Sequence, residues 1–254
     1  MQLREQAKKK VKIKHKIMGA EKQLVCQPIA AQNIQDLIDQ VKVVVLSEPD
    51  LIEWRADSYL DLDKILSAGY ELRKRANNIP IIFTLRHVQE GGARHISQDV
   101  RLEVIKEIIK AGLADVIDIE MINEQDFITE LKRDVDEYNV KLILSYHDFK
   151  STPDEEFIVA KLKRAQELGA DIAKLAVMPN DYRDVLCLLN ATYKARKDTL
   201  DIPIITISMG TMGIISRIAG GIFGSDVTFA AGTVSSAPGQ MRIEDLRNIL
   251  RMME

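Results

Sequence analysis

A (β/α)8 TIM barrel, with a short N-terminal β-ribbon closing its bottom, is the fold this 254-residue sequence predicts. Three observations lead to it. Short runs rich in Ile and Val recur, a longer stretch of helical period separates one run from the next, and the polar residues inside the runs fall on one parity. Such alternation with short connections implies parallel strands joined by crossovers, and eight units in a chain of this length suit a closed barrel better than an open sheet. No composition break divides the chain, so residues 1–254 read as one barrel domain, with residues 1–20 as its lysine-rich ribbon.

The ribbon comes first. Lys8, Lys9, Lys10, Lys12, Lys14 and Lys16 could form a nucleic-acid tail, but "VKIKHKI" also alternates as a short strand pair with its charges toward solvent. The runs then follow as "QLVCQPI", "DLIEWRA", "PIIFTLR", "DVIDIEM", "KLILSYHD", "DIAKLAV", "PIITISM" and "DVTFAA". Between them, segments such as 61–77, 97–112, 153–169 and 181–196 space apolar residues three and four apart among charges, as amphipathic helices do. Pro80 and Pro203 open strands, Gly112 and Gly169 stand where helices should stop, and "STPDEE" offers a capping hydroxyl followed by acids for a first turn.

Composition narrows the function. With 46% hydrophobic residues the chain can fill a large core. A net charge of -3 argues against a whole-protein footprint for nucleic acid, so the expected partner is a small molecule. No apolar run approaches the ~18 residues of a membrane span. No basic segment followed by an apolar one opens the chain as a signal peptide would, and a cytoplasmic location is expected. Cys26 and Cys187 form no C-x-x-C pair, and His15, His87, His95 and His147 lack ligand spacing, so reduced thiols and no metal site are expected.

Strand parity gathers the chemistry. Glu53 and Arg55 share a face opposite Trp54; Thr84 and Arg86 oppose Phe83 and Leu85; Ser145 and His147 oppose Leu144 and Tyr146; Lys174 opposes Ala173 and Leu175. These residues lie late in their strands, where barrel enzymes build their sites. A lysine in a strand covered on both faces is costly unless it has work to do. Lowering its pKa by about 3 units corresponds to about 4 kcal/mol, a shift that burial near other cations could supply, and the resulting amine can form a Schiff base with a carbonyl. His147 is the natural base beside it.

Glu90, in "FTLRHVQEGG", could orient that imidazole or be an exposed loop carboxylate before a Gly-Gly turn. Arg55, Arg86 and Arg217 could each fork a carboxylate or phosphate, or make surface ion pairs. Arg217 lies in the first turns of a short helix after the seventh strand, where anions are favoured. "SSAPGQ", with Ser236 and Gln240, suits a mobile lid or an ordinary connection.

Taken together, "EWR" with the following "AD", "FTLR" with "EGG", "SYHDF", "AKLAV", "ISMGTMGIISRIAGGIFGSDVTFA" and "SSAPGQ" resemble, in order and interval, the type I 3-dehydroquinate dehydratase family. The resemblance runs from about Lys22 to the C-terminus. It implies a cofactor-free lyase of the shikimate pathway of aromatic amino acid biosynthesis, usually a homodimer. By resemblance, Lys174 forms an imine with the C3 ketone of 3-dehydroquinate. His147 removes the C2 proton and returns one to the departing C1 hydroxyl, with Glu90 as its partner. Glu53, Arg55, Arg86, Arg217, Ser236 and Gln240 bind substrate, Arg217 at its carboxylate and Gln240 on the closing lid. Where the family carries a small hydroxyl residue at the end of the first strand this sequence has Cys26, and no binding role carries over to it. Two other readings stand beside this one: a class I aldolase or transaldolase-like enzyme, and a non-catalytic barrel that binds a small acid.

Overall fold

The structure, a computed structural model, describes residues 4–232 and 238–253. Eight parallel strands carry it: β3 (Leu24–Ile29), β4 (Leu51–Arg55), β5 (Ile81–Thr84), β6 (Val116–Glu120), β7 (Lys141–Asp148), β8 (Ile172–Val177), β9 (Ile204–Ser208) and β10 (Val227–Phe229). Their order in the sheet is β10-β3-β4-β5-β6-β7-β8-β9. The first and last barrel strands therefore pair, and the ring closes at a seam between β9 and β10, where one parallel bridge joins Ile204 to Ser225. Side chains reinforce that seam. Asp226 accepts from the backbone N–H of Ile204 at 2.8 Å and pairs with both Arg196 and Arg4.

The expected crossovers are α1 (Ile34–Leu46), α2 (Ile65–Arg75), α3 (Gln98–Lys110), α4 (Gln125–Glu137), α5 (Glu155–Glu167), α6 (Tyr182–Lys194) and α7 (Ile214–Phe223), and α8 (Ile243–Met252) follows β10. Pro80 and Pro203 immediately precede β5 and β9. Gly112 and Gly169 end α3 and α5 at φ of +65° and +86°, a left-handed conformation that glycine adopts without steric cost. The cap of α5 differs from expectation. It is the carboxylate of Asp154, which accepts from the N–H of Phe157 at 2.8 Å, because an acid there also meets the positive end of the helix dipole.

Strand parity divides the interior in two. Trp54, Phe83, Leu144, Ala173 and Leu175 join the large apolar layer between strands and helices. Leu24, Cys26, Leu51, Ile82, Val116, Ile143, Ile172 and Ile205 fill the barrel itself. The ribbon is an antiparallel hairpin of β1 (Val11–Ile13) and β2 (Lys16–Met18), and its buried Val11, Ile13 and Met18 belong to the same inner cluster. Lys16 and Lys14 tie it to Asp50 and Asp115 at 2.5 and 3.7 Å. Hydrophobic plugging thus closes one end and leaves the other for polar chemistry. Among the described residues no helix is long and apolar enough to cross a membrane.

Candidate active site

Above the apolar layer, the inward parity positions switch from Ile and Val to charged groups. They surround a cavity of about 50 Å³, open to solvent at the C-terminal end of the strands. Glu53, Arg55, Arg86, Glu90, His147, Lys174, Arg217 and Gln240 all line it, so eight of the nine expected site residues converge. Ser236 falls outside the described residues, as do its neighbours 233–237.

Lys174 lies mid-strand in β8 and is 4% exposed. Its environment departs from expectation. The expected neighbours were cations, yet Nζ meets two carboxylates, Asp118 Oδ2 at 2.7 Å and Glu53 Oε1 at 3.3 Å, and it sits 4.9 Å from the centre of the Phe229 ring. A buried ammonium is tolerable only when paired in this way. Arg55 and Arg86, two of the positive charges in the same site, are themselves taken up by carboxylates.

His147 stands near the end of β7, facing inward beside Lys174. Glu90 Oε2 accepts from its backbone N–H at 2.8 Å and lies 2.9 Å from its Nδ1. An oxygen already accepting from an obligatory donor is poorly placed to carry the proton itself. The bond therefore fixes Nδ1–H on the ring and leaves the Nε2 lone pair free. Burial, with Arg86 and Lys174 close by, pushes the imidazole well below its ordinary pKa, so it is neutral and able to accept a proton. Burial and the nearby Glu120 push Glu90 up to about 8. Glu90 is buried against the strand ends, so of its two readings the orienting partner fits and the exposed loop carboxylate does not.

The three arginines are not equivalent. Arg55 forks Asp57 through two bonds of 2.8 Å. Arg86 is held by Asp118 at 3.1 and 3.0 Å, by Glu120 at 2.7 Å and by the Ser145 hydroxyl at 2.8 Å. Arg217 is 2% exposed and pairs with no carboxylate among the described residues. It donates to the carbonyls of Pro238 at 2.9 Å and Phe229 at 3.4 Å, and its buried Nε has no partner among the described residues. Burial alone pulls its pKa down to about 10, which still leaves it charged at neutral pH. Of the three arginines expected to meet an acid, all line the pocket, and Arg55 and Arg86 also hold carboxylates of the protein.

Asp118 and Glu120 were missed by the sequence reading. Both lie on β6 at the inward parity of Val116, and their spacing in "DVIDIEM" carried the signal: acids at alternate positions of an otherwise apolar strand. Burial opposes the charge of Asp118, but Arg86 and Lys174 outweigh it and hold the carboxyl far below the usual range. Glu120 accepts in turn from Arg101 of α3 at 2.5 Å. Cys26 lies in the inner apolar cluster with its thiol pushed well up by burial, and it does not line the pocket.

A buried amine, a neutral oriented imidazole and one uncompensated guanidinium around a single cavity suit a small carbonyl acid, and known proteins agree. The sequence profile of type I 3-dehydroquinase matches residues 25–254. A 3-dehydroquinate dehydratase of Geobacillus sp. (strain WCH70) is 41% identical over 252 residues, 98% of this chain and 96% of that protein. One from Clostridioides difficile (strain 630) is 43% identical over 97% of this chain and 98% of its own length. Among solved structures, the type I enzyme from Clostridium difficile with covalently modified comenic acid superposes with a TM-score of 0.92 at 42% identity, covering 96% of this chain and 97% of that one. The enzyme from Geobacillus kaustophilus HTA426 gives 0.95 at 38% identity, covering 100% and 98%. With the same order of motifs, the same barrel and matches along nearly the whole length, this chain belongs to the type I 3-dehydroquinase family.

Proposed function

We propose that this chain, a hydro-lyase of the shikimate pathway by its family, dehydrates 3-dehydroquinate to 3-dehydroshikimate through an imine on Lys174, without metal or cofactor. The observation that carries the reading is the placement of Lys174 Nζ and the proton-accepting face of His147 around one cavity that also holds Arg217, which has no carboxylate partner among the described residues. The aldolase-like and non-catalytic alternatives have no comparable support from the family.

Each step follows from these groups. The substrate carboxylate docks on Arg217, which gains the charge-assisted partner that the protein withholds. The amine of Lys174 attacks the C3 carbonyl carbon; a C–N bond forms, the carbonyl oxygen takes up protons and leaves as water, and a protonated imine remains. His147 Nε2 removes the C2 proton, and the C–H electron pair moves toward the nitrogen to give an enamine. The imidazolium then returns a proton to the C1 hydroxyl, which departs as water while the enamine electrons form the C1–C2 double bond. Hydrolysis frees Lys174 and the product. Glu90 holds the imidazole in the required tautomer throughout. Gln240, at the pocket rim, reads substrate hydroxyls, and Arg55, Arg86 and Glu53 shape the pocket while braced by their own partners.

Borohydride added during turnover is expected to add the reduced substrate or product to Lys174, read by mass spectrometry, and Lys174→Ala should lose both adduct and activity. His147→Ala should still trap substrate while turning over very slowly. Activity surviving in Lys174→Ala sinks the mechanism, and loss of turnover in EDTA sinks its metal independence. The homodimer implied by family resemblance has a candidate face in the exposed apolar residues Tyr182, Leu186 and Tyr193 of α6 and Ile215 and Ile222 of α7. Light scattering at a monomer mass excludes it.

A further inference from the structure

The geometry points to Asp118 as a further catalytic residue, the fixed counter-ion that keeps the imine nitrogen on Lys174 protonated; the inference rests on the imine reading above. An imine withdraws electrons effectively only while its nitrogen is positive, so the site needs an anion that stays beside that nitrogen after the C–N bond has formed. Asp118 Oδ2 lies 2.7 Å from Nζ, and the nitrogen remains at the end of the same side chain in the imine.

Asp118 is also unable to turn away. Its carboxylate accepts from Ser145 Oγ at 2.7 Å and from both ends of the Arg86 fork at 3.1 and 3.0 Å. Arg86 is itself fixed by Glu120, and Glu120 is gripped by Arg101, which is 1% exposed and bonds Asn123 at 2.6 Å and the Leu85 carbonyl at 3.1 Å. A rigid line of alternating charge thus runs from α3, outside the barrel, to the reacting nitrogen.

The other carboxylate near Nζ differs in kind. Glu53 is farther away, accepts from the Thr84 hydroxyl and lines the cavity that substrate enters, whereas Asp118 is fully buried and does not line it. The charged and titratable groups facing Asp118 are Glu53 on β4, Arg86 and Glu90 after β5, Glu120 on its own strand, His147 on β7 and Lys174 on β8. Two of them are cations in direct contact, and they keep its carboxyl ionised.

The test labels lysine with 15N at Nζ and follows the resonance of the adduct formed with 3-dehydroquinate between about pH 6 and pH 9. In the wild-type chain the nitrogen is expected to keep an iminium shift throughout. In Asp118→Asn, removal of an opposite charge in contact should lower the pH at which the proton is lost by about 1–3 units, moving the signal to the neutral-imine position within that range. Asp118→Glu, which retains the charge, should restore the iminium signal. A wild-type adduct that loses its proton in this range overturns the inference without any variant having to fold. An Asp118→Asn adduct that stays an iminium, with circular dichroism unchanged, overturns it too, as does an Asp118→Glu adduct no different from that of Asp118→Asn. Absence of any wild-type adduct on Lys174 in the borohydride experiment marks failure of the imine reading instead.

Discussion

Arg217 combines two opposing demands in one side chain. A buried guanidinium without a carboxylate partner costs folding free energy, and that same cost makes it attractive to an incoming anion. Arg217→Met is therefore expected to hold or raise the melting temperature while raising KM roughly 10- to 150-fold, the equivalent of a charge-assisted bond of about 1.5–3 kcal/mol. Thermal melts and steady-state kinetics on the same preparation check both signs. Glu90 makes a second prediction. Its folded pKa of about 8 lies above the ~4.3 of an unfolded glutamate, so the native state holds more protons between those values. Stability from this group is complete below the unfolded pKa and is lost as pH rises through about 8. Glu90→Gln should flatten that part of the stability profile, read as a smaller difference between melts at about pH 5 and about pH 8.

At the scale of elements, β6 and α3 show what sequence reading reaches and what it does not. The period-2 rule placed Glu53, Arg55, Arg86, His147 and Lys174 on the inward face because each interrupts an apolar run, and the structure agrees. The same rule applied to "DVIDIEM" would have found Asp118 and Glu120. Arg101 was beyond reach: in an amphipathic helix an arginine looks like part of the solvated face, and only the tertiary fold carries it beneath β6 to Glu120. The pairing of Arg86 with Asp118 and Glu120 was hidden for the same reason, since it depends on distances between strands, whereas Arg55 pairs with Asp57 only two residues along the chain. Truncating Arg101 to Leu leaves Glu120 and Asn123 short of a buried donor. It is expected to cost about 3–5 kcal/mol in denaturant unfolding, the usual penalty for breaking a buried pair. By contrast, Asp154→Ala at the start of α5 removes only a cap and should cost about 1 kcal/mol.

The whole molecule separates stability from chemistry along the barrel axis. The hairpin seals the bottom with Val11, Ile13 and Met18, each buried, while every expected site residue that the structure describes lines the far end. Removal of residues 1–20 deletes those three buried side chains, worth about 4.5–9 kcal/mol together at 1.5–3 kcal/mol apiece, and takes Arg4 away from Asp226. The truncated protein is expected to melt far lower, yet to keep kcat within about twofold at temperatures where it remains folded, since ends of a barrel act independently. A kcat that collapses in the folded truncated protein contradicts this separation.

The arrangement of the seam also sets an order in time. β3, the first barrel strand, pairs on one side with β10, the last, and β9 meets that segment through the bridge at Ser225, a bond from the Thr206 N–H to the Ser225 hydroxyl and the ion cluster of Asp226. Until residue 229 has left the ribosome, β3 and β9 are therefore bare edges of an open sheet, able to pair with other chains. Ring closure therefore waits for β10, and the nascent chain is most vulnerable to misassembly shortly before that strand emerges.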